Sequence, residues 1–246
     1  MVTALTIAIA AGGLTGCVST QRKNARAELV ANRTLAARTS LRLHRRSREV
    51  RVEHVALVRA AHGGAFVVTL RNRGAQPATD VPIAVGLRAA DGRRTQLDGG
   101  SGLGWFRTHV PAIGAGASTT WVFTARRPLP AGTPYAIAGA TGGTVVSRAS
   151  GALPAISARV VPESVRGRRG ARTRGGVLVG IVNRSEIPQY DVQVYAVARA
   201  GGRVLAAGAA SIAHLGTHEG ARVRVALGGA AGHHTVRVFA LPTIFE

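Results

Sequence analysis

Few residues in this chain combine a reactive type with a close spacing. The single cysteine, Cys17, closes the uncharged run VTALTIAIAAGGLTG of residues 2–16. One thiol excludes an internal disulfide and a zinc site built on paired cysteines. His214 and His218 are four apart and His233 and His234 are adjacent, yet HLGTHE contains a glycine and lacks the HExxH order. They read as loop histidines, and no metal or cofactor is expected. Ser101 in GGSGLG has neither the G-x-S-x-G elbow nor a strand-to-helix setting. The 11 acidic residues form no sequence pair suited to general acid and base work. The expectation is a protein that is not an enzyme.

Two stretches carry binding potential instead. RGRRGARTRGG places Arg166, Arg168, Arg169, Arg172 and Arg174 in one short connection. No aromatic is interleaved, so the chemistry on offer is attraction to phosphate or headgroup rather than base stacking, and nucleic acid is not the expected partner. The dipeptide Trp105-Phe106 follows a glycine-rich stretch. Such a pair forms either an exposed knob or a cap on the open end of a core, and large apolar groups favour the cap.

The charge balance is lopsided, with 32 basic against 11 acidic residues and a formal net charge of +21. Lys23 is the only lysine, beside abundant Ala, Gly and Val, which is the composition of a GC-rich coding sequence as much as of a polyanion binder. Residues 17–49 are polar and basic, with leucines too sparse for a core helix, and read as a tether with transient helix near residues 24–38. Beyond residue 50 the apolar period becomes two, in VRVEHVALV, AFVVTLRN, DVPIAVGLR and TTWVFT, separated by Gly-rich turns. The body is expected to be almost wholly β.

The second half repeats the first. Asn72-Arg73, Pro77 and Asp80-Val81 align without a gap on Asn183-Arg184, Pro188 and Asp191-Val192, at a constant offset of 111. Val68 and Leu70 match Val179 and Ile181 upstream, and Ile113-Gly114 parallels Leu215-Gly216 downstream. Each repeated Asn is expected to open a turn by bonding local backbone through its side chain. The division that follows is a leader at 1–16, a tether at 17–49, sandwiches at 50–127 and 155–246, and a linker or edge segment at 128–154.

Leu14-Thr15-Gly16-Cys17 resembles the lipobox of bacterial lipoproteins. The resemblance implies that the Cys17 thiol takes a diacylglycerol and becomes the mature N-terminus, and two acyl chains anchor stably where one does not. No Lys or Arg precedes the apolar run, so a basic stretch is expected further upstream. The repeated pattern of alternating strand, Asn-Arg, a turn with Pro, Asp-Val and a second alternating strand is similar to the immunoglobulin-like β-sandwich modules of the CARDB and FxLyD types. Tyr195 stands where FxLyD modules carry their tyrosine. Together the resemblances imply a lipoprotein on the outer face of the cytoplasmic membrane, with adhesion, scaffolding or ligand presentation as its role. Its expected partners are the bilayer and an envelope protein. The alternative is an accessory protein that binds an anionic polymer or headgroups through Arg166–Arg174.

Overall fold

The computed structural model describes residues 20–36, 43, 45–60, 63–100, 103–140, 147–149, 151–162, 176–229 and 235–245. One α-helix, α1 (Thr20–Ala36), precedes β1 (Arg45–Arg46), β2 (Val50–Ala60), β3 (Gly63–Asn72), β4 (Ala78–Arg88) and β5 (Arg94–Gln96). A 3-10 turn at Trp105–Arg107 leads into β6 (His109–Ile113), β7 (Ser118–Ala125), β8 (Thr133–Ala140) and β9 (Ser147–Arg148). The second half holds β10 (Ile156–Val160), β11 (Gly176–Asn183), β12 (Gln189–Ala200), β13 (Arg203–Leu215), β14 (Gly220–Ala226), β15 (Gly228–Gly229) and β16 (Thr235–Leu241).

The all-β expectation holds for the body. Strand order repeats between the halves: β2-β3-β7 has its counterpart in β10-β11-β14, and β8-β4 flanked by β5 and β6 has its counterpart in β16-β12-β13. Every pairing is antiparallel. Segment 128–154, expected as a linker or edge, contributes β8, which pairs with β4 from Ile83↔Ala138 to Arg88↔Thr133. Its Ala, Gly and Pro content conceals an alternating strand. The basic segment also departs from expectation, because α1 starts at Thr20 and its Arg33 is buried.

In the first half Phe66, Val68 and Leu70 of β3, with Trp121 and Phe123 of β7, pack against Val81, Ile83, Val85 and Leu87 of β4. Phe66 meets Phe123 edge-on, with centroids 6.3 Å apart. In the second half Val179, Ile181 and Val225 pack against Val192, Val194, Ala196 and Leu215. Alternation places Tyr195 and Val197 on the other face of β12, and they belong to the core of the first half together with Ala207 and Leu241. Strand β13 accordingly lies against β2, β3 and β7. Ala65 and Val67, which alternate with Phe66 and Val68, are buried as well. The sheet of β12, β13, β15 and β16 is therefore covered on both faces. Gly229 at this junction has φ +137, and a Cβ there would stand 2.7 Å from Val58 Cγ1, so only glycine admits so close an approach.

The repeated asparagines pin both halves in the same way. Asn72 Oδ1 accepts from the Gly74 amide at 2.9 Å, and its Nδ2 donates to the carbonyls of Gln76 at 2.7 Å and Gly114 at 3.2 Å. Asn183 Oδ1 accepts from the Ser185 amide at 3.1 Å, and its Nδ2 donates to the carbonyls of Ile187 and Gly216, both at 2.9 Å. Both are fully buried. The turn expected from sequence is present, and each Asn also ties that turn to the repeated Ile/Leu-Gly step more than thirty residues on. Asn72→Ala or Asn183→Ala removes a buried amide that bonds three backbone groups and leaves a void at the turn, although the Gly114, Ile187 and Gly216 carbonyls keep second donors. Each is expected to cost about 2–3 kcal/mol, beyond the ~1 kcal/mol of one local bond. Urea titration of the single variants measures it.

Candidate functional site

The most concentrated polar site among the described residues lies where α1 meets both halves. Asp80 in β4 has φ 47°, and its repeat partner Asp191 in β12 has φ 51°. This left-handed geometry is one that Asp tolerates better than bulkier residues. Asp80 Oδ2 accepts from Arg33 Nη2 at 2.7 Å, and its Oδ1 accepts from the Trp105 indole at 3.0 Å. Arg33 Nη1 donates to the Thr243 carbonyl at 2.6 Å, and the guanidinium carbon stands 5.2 Å from the centre of the Phe106 ring. One arginine thus joins the helix to the first half, to the C-terminal segment and to the 3-10 turn.

The receiving carbonyl is itself fixed. Gln189, fully buried at the start of β12, accepts from the amides of Thr243 and Ile244 at 2.9 and 3.1 Å and donates to the Ile244 carbonyl at 3.1 Å. The Thr243 hydroxyl donates to the Tyr190 carbonyl. On the other side Trp105 stacks on His109 with centroids 3.5 Å apart and planes 8° from parallel. His109 Nδ1 lies 2.9 Å from Thr108 Oγ1 and 3.2 Å from the Trp105 carbonyl. Burial holds His109 down to about 4 against the pull of the Trp105 carbonyl, and the Arg33 charge lowers it further. The imidazole is neutral at physiological pH and leaves Arg33 as the cation that Asp80 binds.

A second buried carboxyl, Asp98, anchors β5. Its Oδ1 accepts from the Val85 amide at 3.0 Å and from Gln96 Nε2 at 3.1 Å, while its Oδ2 is buried without a partner among the described residues. Burial pushes Asp98 up to about 7, against the hydrogen bonds from Val85 and Gln96 and the charge of Arg107. Burial likewise lowers Arg107, which stacks over Phe123 at 4.9 Å and donates to the Thr124 carbonyl at 2.7 Å. Beside the clasp a groove of about 530 Å³ is lined by Trp105, Phe106, Arg107, Tyr190, Asp191 and Gln193.

The residues singled out from sequence are distributed as follows. Cys17, Ser101, His233, His234 and Arg166, Arg168, Arg169, Arg172 and Arg174 lie outside the described residues. His214 packs at a tilt on Tyr190, 4.8 Å between centroids. His218 Nε2 sits 2.7 Å from Glu186 Oε1 in an exposed pair, which contributes little. Among the described residues no group of three or more His, Cys, Asp or Glu comes together. Trp105 and Phe106 are half-buried and seat the helix, which is neither a free knob nor a simple cap. Sequence reasoning missed Arg33, Gln189 and Asp98. The signals that pointed to this site were the repeated Asp80 and Asp191 and the Trp105-Phe106 pair.

No protein-family model matches the sequence, and no curated protein matches it. The crystal structure of red sea bream transglutaminase is similar at 11% identity and a TM-score of 0.23, covering 92% of this chain and 32% of that one. The chain thus spans about a third of that protein's length, and a likeness of this degree carries no argument.

Two outcomes follow from this geometry. Arg33→Met leaves Asp80 buried without its cation and is expected to cost about 3 kcal/mol, with amide exchange in Val30–Ala36 rising to the rate of free chain. The buried carboxyl and imidazole oppose each other in pH. The folded state holds the Asp98 proton between its ordinary carboxylate range and about 7, so that contribution is present at low pH and is lost as pH rises through the window. His109 stays neutral from about 4 upward, so its contribution is lost as pH falls from 6.5 to about 4. Asp98→Asn should therefore leave a stability that only rises from pH 4 to 6.5, and His109→Gln one that only falls, as thermal melts across pH will read.

Proposed function

We propose that this chain is a lipid-anchored, non-catalytic envelope protein, held on the outer face of the cytoplasmic membrane through an acylated Cys17. Its body, in this reading, is a pair of immunoglobulin-like sandwiches of the CARDB or FxLyD type, presenting a surface to an envelope partner. The observation that carries the reading is the lone thiol in Leu14-Thr15-Gly16-Cys17, followed after two residues by a helix whose Arg33 is bonded into the body. A helix of 17 residues spans roughly 25 Å. Clasped at one end, it forms a stiff connection between the attachment point and the sheets, in place of a slack tether.

Other features agree with this. No helix among the described residues is long and apolar enough to cross a membrane, so attachment by a helical span has no support there. The matching strand orders of the two halves, a three-stranded sheet against a larger one in each, fit a duplicated sandwich. The polar groups at the clasp serve to hold α1, Trp105 and the C-terminal segment together.

The test is metabolic labelling of cells with an alkynyl fatty acid. The native chain should incorporate the label and fractionate with membranes. Cys17→Ser should lose both the label and the processed N-terminus, because no other thiol can accept the diacylglycerol. Label persisting in Cys17→Ser removes the anchor from the account.

A further inference from the structure

The two halves expose equivalent sheets to different surroundings, and the comparison bears on what the uncovered one meets. In the first half the outer face of β2-β3-β7 is closed by β13, and Val67, Thr120 and Val122 on that face are buried. The offset of 111 places Leu178 on Val67 and Gly180 on Thr69. The registers then complete the match. Val67 pairs with Val122 and Thr69 with Thr120, whereas Leu178 pairs with Arg224 and Gly180 with Arg222. Where the covered sheet has Val122 and Thr120, the sheet β10-β11-β14 has two arginines, both exposed.

Arg159 on β10 is exposed on the same sheet, and none of the residues of β10, β11 and β14 is acidic. Between Arg159 and Arg222 runs an open trough of about 710 Å³ over Gly180 and Gly220. A Cβ at Gly180 would stand 3.0 Å from Val161 Cγ2, so glycine leaves the trough open there. Val161 and Val182 line it from the face of Gly180, Val161 half-buried and Val182 at 37% exposure, whereas Val160 pairs with the buried Val179 and points to the other face.

From this geometry we infer that the outer face of β10-β11-β14 docks on an anionic lipid surface, with Val161 and Val182 entering the interfacial layer and Arg159, Arg222 and Arg224 meeting the headgroup phosphates. A further sheet stacked as β13 is stacked on the first half would bury two guanidinium groups at the positions of Val122 and Thr120, at a cost of several kcal/mol each. Another copy of this chain is a poor occupant for the same reason, since the strands around β4 bring Arg45, Arg46, Arg88 and Arg94. A hydrophilic phosphate polymer would satisfy the arginines and leave the valines in water. A bilayer interface satisfies both, because arginine stems lie along apolar surface while their heads reach phosphate. The envelope reading supplies only the nearby bilayer, and the inference rests on it to that extent.

The experiment uses the full chain carrying Cys17→Ser, which removes acylation and every native thiol. Val182→Cys in this background takes an environment-sensitive fluorophore on the docking face, and Thr95→Cys takes it on exposed β5. With phosphatidylglycerol vesicles the label at position 182 should brighten and shift blue, and with phosphatidylcholine vesicles it should not. The label at position 95 should respond to neither. Adding Arg222→Gln and Arg224→Gln should weaken the response at 182 on the order of 30-fold, from about 1 kcal/mol per guanidinium near the surface. Arg222→Lys with Arg224→Lys should retain it. An unchanged signal at 182, an equal change at 95, or a response at 182 to inorganic polyphosphate equal to that to vesicles would overturn the inference. Because Cys17 is absent throughout, these outcomes leave the acylation test untouched.

Discussion

The constraint on which the rest depends is that the sheet of β12, β13, β15 and β16 is apolar on both faces. Val192, Val194 and Ala196 point one way and Tyr195 and Val197 the other. An antiparallel sheet usually has one wet face, and its strands then alternate apolar with polar. Here both faces must be removed from water, so β10-β11-β14 closes one and β2-β3-β7 closes the other. Tyr195 states the cost most sharply. It is 1% exposed, its hydroxyl has no partner among the described residues, and burial pushes its phenol far up. An unpaired buried hydroxyl is tolerated only where the surrounding apolar contact outweighs it.

The clasp at Arg33 follows from that packing. Once the halves are stacked, the start of β4, the start of β12 and the C-terminal segment come together at one end, and Asp80, Gln189 and Thr243 are brought within reach of α1. The ion pair is nearly dry, with side chains 8% and 15% exposed. A pair so placed contributes through geometry and satisfied hydrogen bonds more than through bare attraction. Asp80 and Asp191 show how duplication diverges: the backbone geometry is the same, but one carboxylate holds an arginine and an indole while the other faces the groove.

Much of the architecture was legible because its signals are local. Two-residue alternation marked the strands, and the Asn-Arg and Asp-Val repeat marked the duplication, since a buried Asn that bonds its own turn must recur wherever the turn recurs. The clasp was not legible. Arg33 is one of nine lysines and arginines in residues 17–49, and its partners lie 47 and 210 residues away, so only tertiary structure distinguishes it. Strand β8 was obscured by small residues, and Asp98 by standing next to a glycine-rich loop. The second apolar face of β12 was visible as the run Val194–Ala198, but an uninterrupted apolar strand does not say which layer covers it.

The central claim is that the two halves form one cooperative body because they share that doubly covered sheet. Differential scanning calorimetry of the intact chain tests it most directly. The account predicts one transition whose calorimetric and van't Hoff enthalpies agree, lowered as a whole by Tyr195→Ala. Two separable transitions, with Tyr195→Ala moving only the one that belongs to the second half, would contradict it.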